Sequence, residues 1–182
     1  KKQMLMFEEF ATEHYLPHAK IHKKTWKEDV WRIEKYFVPV FGDKKLDAIT
    51  GNSIKQFHDA EKERTSAVSA NHMLRLLGRI LRLAHEWEFL PELPRLPKKF
   101  KEKSRERFLS RPELGRFLKA LDEIEDTGSV SAIKILLFSG CRLEEVVSLR
   151  KSAVDLSNSS IFLEETKTDV SRTVFLSPLA QE

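Results

Sequence analysis

Cysteine is almost missing from this chain: Cys141 is the single one in 182 residues. A disulfide within the chain is therefore excluded, and so is a metal cluster built on several thiolates. A reducing, cytoplasmic setting fits. The lone thiol lies inside an apolar stretch, where a free cysteine reads as a small packing residue. Long hydrophobic runs are also lacking. No apolar segment approaches the ~18 residues of a membrane span. The opening "KKQMLMFEEF" has no extended apolar core of the kind a signal peptide needs, and its lack of Met points to trimming before Lys1. Internal repeats and low-complexity tracts are absent too.

What is present is a folding composition. Hydrophobic residues make up 41% of the chain, with 12 Phe and 3 Trp, enough for a core. Charged residues make up 33%, which solvates the surface and excludes neither partner class. The net charge is only +4, but its placement is informative. Residues 98–107, "KKFKEKSRER", carry six Lys or Arg against two Glu, so this one stretch holds the whole excess. An anionic partner is the natural reading.

The pattern along the chain is helical first. "TWKEDVWRIEKYF" places Trp26, Val30, Ile33 and Phe37 at helical spacing, opens on a Thr25/Glu28 capping box and is expected to end at Pro39 and Gly42. A second helix follows with Thr50 as its N-cap. The strongest helix is "TSAVSANHMLRLLGRILRLAHEWEFL". Ala70, Met73, Leu74, Leu77, Ile80, Leu81, Ala84 and Trp87 form one apolar face, while His72, Arg75, Arg79 and Arg82 fall on the other. Pro91, Pro94 and Pro97 stop helix formation. With the basic run behind them they read as an interdomain linker.

Downstream, Ser110 and Glu113 form a capping box with Pro112 in the first turn. "SVSAIKILLFSG" reads as a buried helix broken by Gly140, with Arg142 in the first turn of the next helix. "AVDL", "SIFLEE" and "RTVFL", separated by turn chemistry, predict a three-stranded antiparallel meander whose last hairpin carries Lys167. The expected organisation is a helical domain over 1–97, a basic linker over 98–107 and an α+β domain over 108–182.

Three constellations could carry function. Lys20, Lys23 and Lys24, the face His72, Arg75, Arg79 and Arg82 with its neighbour Asn71, and Lys98, Lys99, Lys101, Lys103 and Arg105 together offer a phosphate-tracking surface. Singly, each is also what a solvated face looks like. His14, His18 and His22 recur four apart, as zinc ligands on a helix would, but Pro17 interrupts them and no fourth ligand is evident, so no metal is assigned. Arg142 could fork onto a phosphate with Lys167 as proton donor, or it could simply pair with Glu145, three residues on. Spacing alone leaves both open.

"FSGCRLEEVVSLR" resembles the first-arginine motif of the tyrosine recombinases, the phage-integrase family, where it runs T-G-x-R-x-x-E-x-x-x-L. Gly140, Arg142, Glu145 and Leu149 match, and Ser139 replaces Thr. "ETKTDVSRTVFLS" is similar to the family's lysine-bearing hairpin, with Thr166, Lys167, Thr168, Ser171 and Arg172 in register. "FLSRPELGRFL" looks like the opening of its catalytic domain. Lys151 departs from the Trp common after "SLR".

The resemblance implies a mainly α, SAM-like core-binding bundle followed by an α+β catalytic domain truncated midway, the two forming a C-shaped clamp on duplex DNA. Arg142 would hold the phosphate, Lys167 would be the general acid, Glu145 would support the arginine and Arg172 would contact DNA. The H-x-x-R motif and the nucleophilic Tyr would lie beyond Glu182, since Tyr15 and Tyr36 fall in the first domain. The expected whole protein cuts and rejoins DNA through a 3′-phosphotyrosyl intermediate, as a tetramer on paired sites, in a bacterial or phage cytoplasm and without a cofactor. This chain alone would bind without cutting. Alternatives are a non-catalytic DNA-binding regulator, a decayed integrase, or a helical protein–protein module.

Overall fold

The computed structural model describes residues 4–104, 106–164 and 170–181. The chain divides into two compact units, Lys1–Arg105 and Glu106–Glu182. The first is a helical bundle and the second joins short helices to a three-stranded antiparallel sheet.

The first unit opens on α1 (Phe7–Phe10), which runs through a π-type turn, Ala11–Tyr15, into α2 (Leu16–His22). The same construction follows at once. Helix α3 (Trp26–Arg32) runs through a second π-type turn, Ile33–Phe37, into α4 (Val38–Phe41). Each π turn lies just before a proline, Pro17 or Pro39. A proline inside an α-helix loses one hydrogen bond and collides with the carbonyl four residues back. Here those carbonyls, of Glu13 and Lys35, belong to the widened turns, so the helical path continues. Pro39 therefore does not end the helix as the sequence suggested. It ends at Phe41, with Gly42 next.

Thr25 also departs from expectation. Its backbone is not extended (φ −96°, ψ 26°) and, among the described residues, its hydroxyl caps nothing; Glu28 instead pairs with Arg32 at 3.0 Å. Thr50 does cap α5 (Gly51–Arg64), reciprocally with Ser53. Ser66 caps α6 (Ala67–Glu86), accepting from the Ser69 N–H. Phe7, Phe37, Phe41 and Phe57 meet edge-on or tilted at 5.4–6.1 Å, and α6 buries Leu77, Ile80 and Leu81 against this aromatic centre.

In the second unit the Ser110/Glu113 capping box forms at the start of α7 (Arg111–Asp122). Asp126 caps α8 (Thr127–Ser139) through the N–H groups of Gly128 and Ser129. Although apolar, α8 contributes no fully buried side chain among the described residues. A unit this small has one thin core, made of Cys141, Val146, Ile161, Leu163, Val174 and Leu176, and α8 reaches it through Ala132, Ile135 and Leu136 only. Gly140 then takes the left-handed conformation (φ 68°), stopping α8 and starting the path to α9 (Leu143–Val147). The meander is as expected: β1 (Val154–Asp155), β2 (Ser160–Leu163) and β3 (Arg172–Phe175) pair in that order, with Leu163 opposite Arg172. A terminal turn, α10 (Pro178–Gln181), closes the unit.

Gly51 tests the bundle packing, because a Cβ there would lie 2.6 Å from the Arg95 carbonyl oxygen. Gly51→Ala is expected to destabilise the first unit by about 1–3 kcal/mol. Denaturant unfolding followed by tryptophan fluorescence measures this, since all three Trp lie in that unit. Gly115→Ala, on α7 with nothing within 4 Å among the described residues, is expected to leave that transition unchanged.

Candidate functional site

Glu145 is the hub of the second unit's polar chemistry. It stands in the first turn of α9, with a side chain only 5% exposed. The Arg142 backbone N–H and Nη1 donate to its two oxygens, each at 2.8 Å. Arg172, the first residue of β3, donates through Nη2 at 2.8 Å. Arg142 sits at the N-cap with extended dihedrals (φ −78°, ψ 153°), one residue earlier than the first-turn placement read from the sequence. So the pairing of Arg142 with Glu145 does form, but the Arg142 side chain stays 53% exposed and that of Arg172 42% exposed. Two cations share one carboxylate, and this trio carries one net positive charge at the surface. Cys141 belongs to the small apolar core of the same unit. Lys167, with Thr166 and Thr168, lies outside the described residues.

These donors act on the Glu145 carboxyl. The Arg142 N–H, then the two guanidinium groups, pull its pKa from the usual 4.5 down to about 2, against the opposing effect of burial.

In the first unit the exposed face of α6 presents His72, Arg75, Arg79 and Arg82 while its other face is buried. Partial desolvation, then the charges of Arg75 and Arg32, hold the His72 pKa below its ordinary value. Arg32 itself is paired with Glu28 at 3.0 Å and lies 4.0 Å from Asp29. Lys20 is exposed, with Nζ 5.5 Å from the Trp26 ring. Lys24, Lys98, Lys99, Lys101 and Lys103 are exposed, and Arg105 lies outside the described residues.

Two residues placed on this surface from sequence do not belong to it. Lys23 is half-buried and grips both oxygens of the buried Asp29, at 2.6 and 2.7 Å. Its charge is held by an internal carboxylate that also accepts from the Tyr15 hydroxyl at 2.8 Å. Asn71 is fully buried, and its amide bonds His58, Phe100 and Glu102. Among the described residues no group of three His, Cys, Asp or Glu is placed to hold a metal. His14 lies against Phe10 and Phe89, and His18 against Trp87. Among the described residues no helix is long and apolar enough to cross a membrane.

The second unit's sequence, residues 107–182, matches the Phage integrase family. Solved structures extend the likeness to the fold of nearly the whole chain. A Tn1549 transposon integrase in complex with transposon right end DNA superposes with a TM-score of 0.82 at 17% identity, over 97% of this chain and 63% of that one. A lambda integrase tetramer bound to a Holliday junction gives 0.81 at 15% identity, over 97% and 53%. The Tn1549 integrase with circular intermediate DNA gives 0.78 at 17%, over 97% and 62%. At such identities the likeness establishes the fold alone. The chain spans about six tenths of the length of the transposon integrases it matches. No curated protein matches the sequence.

The depressed Glu145 pKa has a measurable consequence. Its contribution to stability is fully present above pH 4.5 and is lost as pH falls through about 2. A carboxyl-carbon NMR titration is expected to place the Glu145 midpoint well below that of exposed glutamates. Arg142→Ala should move it upward; a midpoint near 4.5 in the unaltered chain would contradict the shared-carboxylate geometry.

Proposed function

We propose that this chain forms the DNA-binding unit and the arginine-bearing part of the catalytic unit of a site-specific recombinase of the tyrosine type. The observation that carries the reading is the Arg142–Glu145–Arg172 cluster inside an integrase-family domain. A structural ion pair needs one arginine per carboxylate. Here two half-exposed arginine side chains donate to one buried carboxylate, leaving an excess of one positive charge. That suits a phosphodiester, whose non-bridging oxygens accept a planar fork.

In the proposed reaction a tyrosine oxygen bonds to phosphorus and the bond to the 5′-oxygen breaks. Arg142 stabilises the charge that grows on the non-bridging oxygens, and Lys167 gives its proton to the departing oxygen. The phosphotyrosyl link conserves the bond energy, so rejoining needs no further activation. In strand cleavage by the whole protein, loss of Arg142 is expected to cost about 10²–10³ in rate. Glu145 holds both arginines and does not itself react.

Neither tyrosine of this chain serves as the nucleophile. Tyr15 is buried, its hydroxyl committed to Asp29, with burial and then that hydrogen bond raising its pKa. Tyr36 is buried beneath the Arg64 guanidinium and the edge of Trp31. The partner is double-stranded DNA, reached through Arg75, Arg79, Arg82 and His72 on α6 and through Lys98, Lys99, Lys101 and Lys103. Lys20 and Lys24 extend this surface, and Arg105 adds a further cation in the sequence. The whole protein would act as a tetramer on paired sites, in keeping with the lambda integrase tetramer on its junction.

The test is fluorescence anisotropy of a labelled duplex across a salt series. The 182-residue chain is expected to bind with an affinity that falls steeply with salt, and Arg75→Ala or Arg79→Ala should each reduce the log–log slope by about one. Salt-independent binding, or none at low ionic strength, sinks the reading. On a nicked duplex the chain is expected to form no covalent adduct. A protein–DNA band surviving denaturation would overturn the exclusion of Tyr15 and Tyr36.

A further inference from the structure

Phe100 is the one aromatic residue in the basic stretch 98–107, and it is fastened on both sides. Its ring stacks on His58, with centroids 4.1 Å apart and planes 24° apart, and the Lys62 ammonium lies 4.7 Å from its centre. His58 and Lys62 are one turn apart on α5. Its backbone is held by Asn71 of α6. The Phe100 N–H donates to Asn71 Oδ1 at 2.9 Å, and Asn71 Nδ2 donates back to the Phe100 carbonyl at 2.9 Å. The side-chain amide thus stands in for a neighbouring strand.

The remaining capacities of Asn71 are also used. Nδ2 donates to Glu102 Oε1 at 2.8 Å, and Oδ1 is 3.1 Å from His58 Nε2. An amide oxygen only accepts, so Nε2 carries the proton and donates. Asn71 and His58 are 0% and 1% exposed. Buried polar groups are costly when left half-satisfied, and undocking the segment strips Asn71 of three of its four hydrogen bonds. That makes docking strongly preferred. It also makes this contact more than a greasy ring on a bundle.

We propose that His58 and Asn71 form a clasp that holds the basic segment in one register, so that Lys98, Lys99, Lys101 and Lys103 meet a phosphate backbone already ordered. The proposal rests on the DNA-binding reading above. Two effects follow. A segment ordered beforehand loses less conformational freedom on binding. The clasp also shortens the tether between the units: the last fastened residue is Glu102 rather than Leu96, and the next unit begins at Glu106. Opening it lengthens the tether from about four residues to about ten. When both units contact one duplex, effective concentration falls as the −3/2 power of length, which is about a four-fold loss of affinity.

The experiment pairs amide hydrogen exchange with anisotropy on the same duplex, using Phe100→Ala and the near-isosteric Asn71→Asp, which sets a carboxylate against the Phe100 carbonyl and Glu102. Both are expected to speed exchange at residues 98–104, sparing the α6 core amides, and to weaken binding about four-fold with an unchanged salt slope. Lys98→Ala with Lys99→Ala should do the opposite, lowering the slope without altering exchange. Unchanged exchange in Phe100→Ala overturns the clasp. Faster exchange with undiminished affinity overturns its positioning role. If the unaltered chain does not bind DNA, the functional reading and the positioning role fail together. Exchange protection at Phe100, measured without DNA, still reports separately whether the clasp exists.

Discussion

A carboxylate withdrawn from water must be met by cations and N–H groups, and each unit of this chain is organised around one such carboxylate. In the bundle it is Asp29, which draws in Lys23, the Tyr15 hydroxyl and, at 4.0 Å, Arg32. These partners tie the end of the first helical path to the start of the second. In the second unit it is Glu145, which ties a helix start to a strand start 27 positions away. The two differ in what they leave outside. The cations of Asp29 keep only about a quarter of their side chains exposed, whereas Glu145 keeps its arginines half in solvent. The first arrangement is structural. The second holds charge in place while leaving it able to meet an anion.

Much of this was legible in the sequence wherever the signal is local. Thr50 and Ser110 cap as the sequence indicates, because a hydroxyl and a polar side chain three residues on, Ser53 or Glu113, settle their own hydrogen bonds. The apolar face of α6 and the three-strand meander follow from periodicity. Gly140 does what only a glycine does easily. The resemblance to integrases supplied the rest of the frame, since nothing in spacing alone says that Arg142 and Arg172 share a carboxylate.

What escaped were the residues whose partners are remote. Asn71 neighbours a cationic face in sequence, but its hydrogen bonds reach 29 and 31 positions downstream, so it turns inward. Lys23 looks like one of a basic trio until Asp29 claims it. Thr25 has the right letters for a cap and the wrong backbone angles. The apolar α8 reads as buried because hydrophobicity reports preference, not whether a partner surface exists to cover it. Each error has the same origin: tertiary pairing outranks local pattern.

The two π turns carry a consequence for how this bundle tolerates change in length. Fully buried residues recur at a strict interval of four, at Phe7, Ala11, Tyr15 and Ala19, and again at Asp29, Ile33, Phe37 and Phe41. On a regular helix at about 100° per residue, three steps of four would wind such a row about 120° around the axis and out of the core. One extra residue accommodated in a wide turn takes back about 100° of that drift. Each row thus works as a vernier, kept straight by the residue that the helix has swallowed. Removing a single residue from 33–37 would restore an ordinary helix and leave Phe41 in the same phase, still turned toward Phe57, so the wide turn is where this helical path tolerates a deletion.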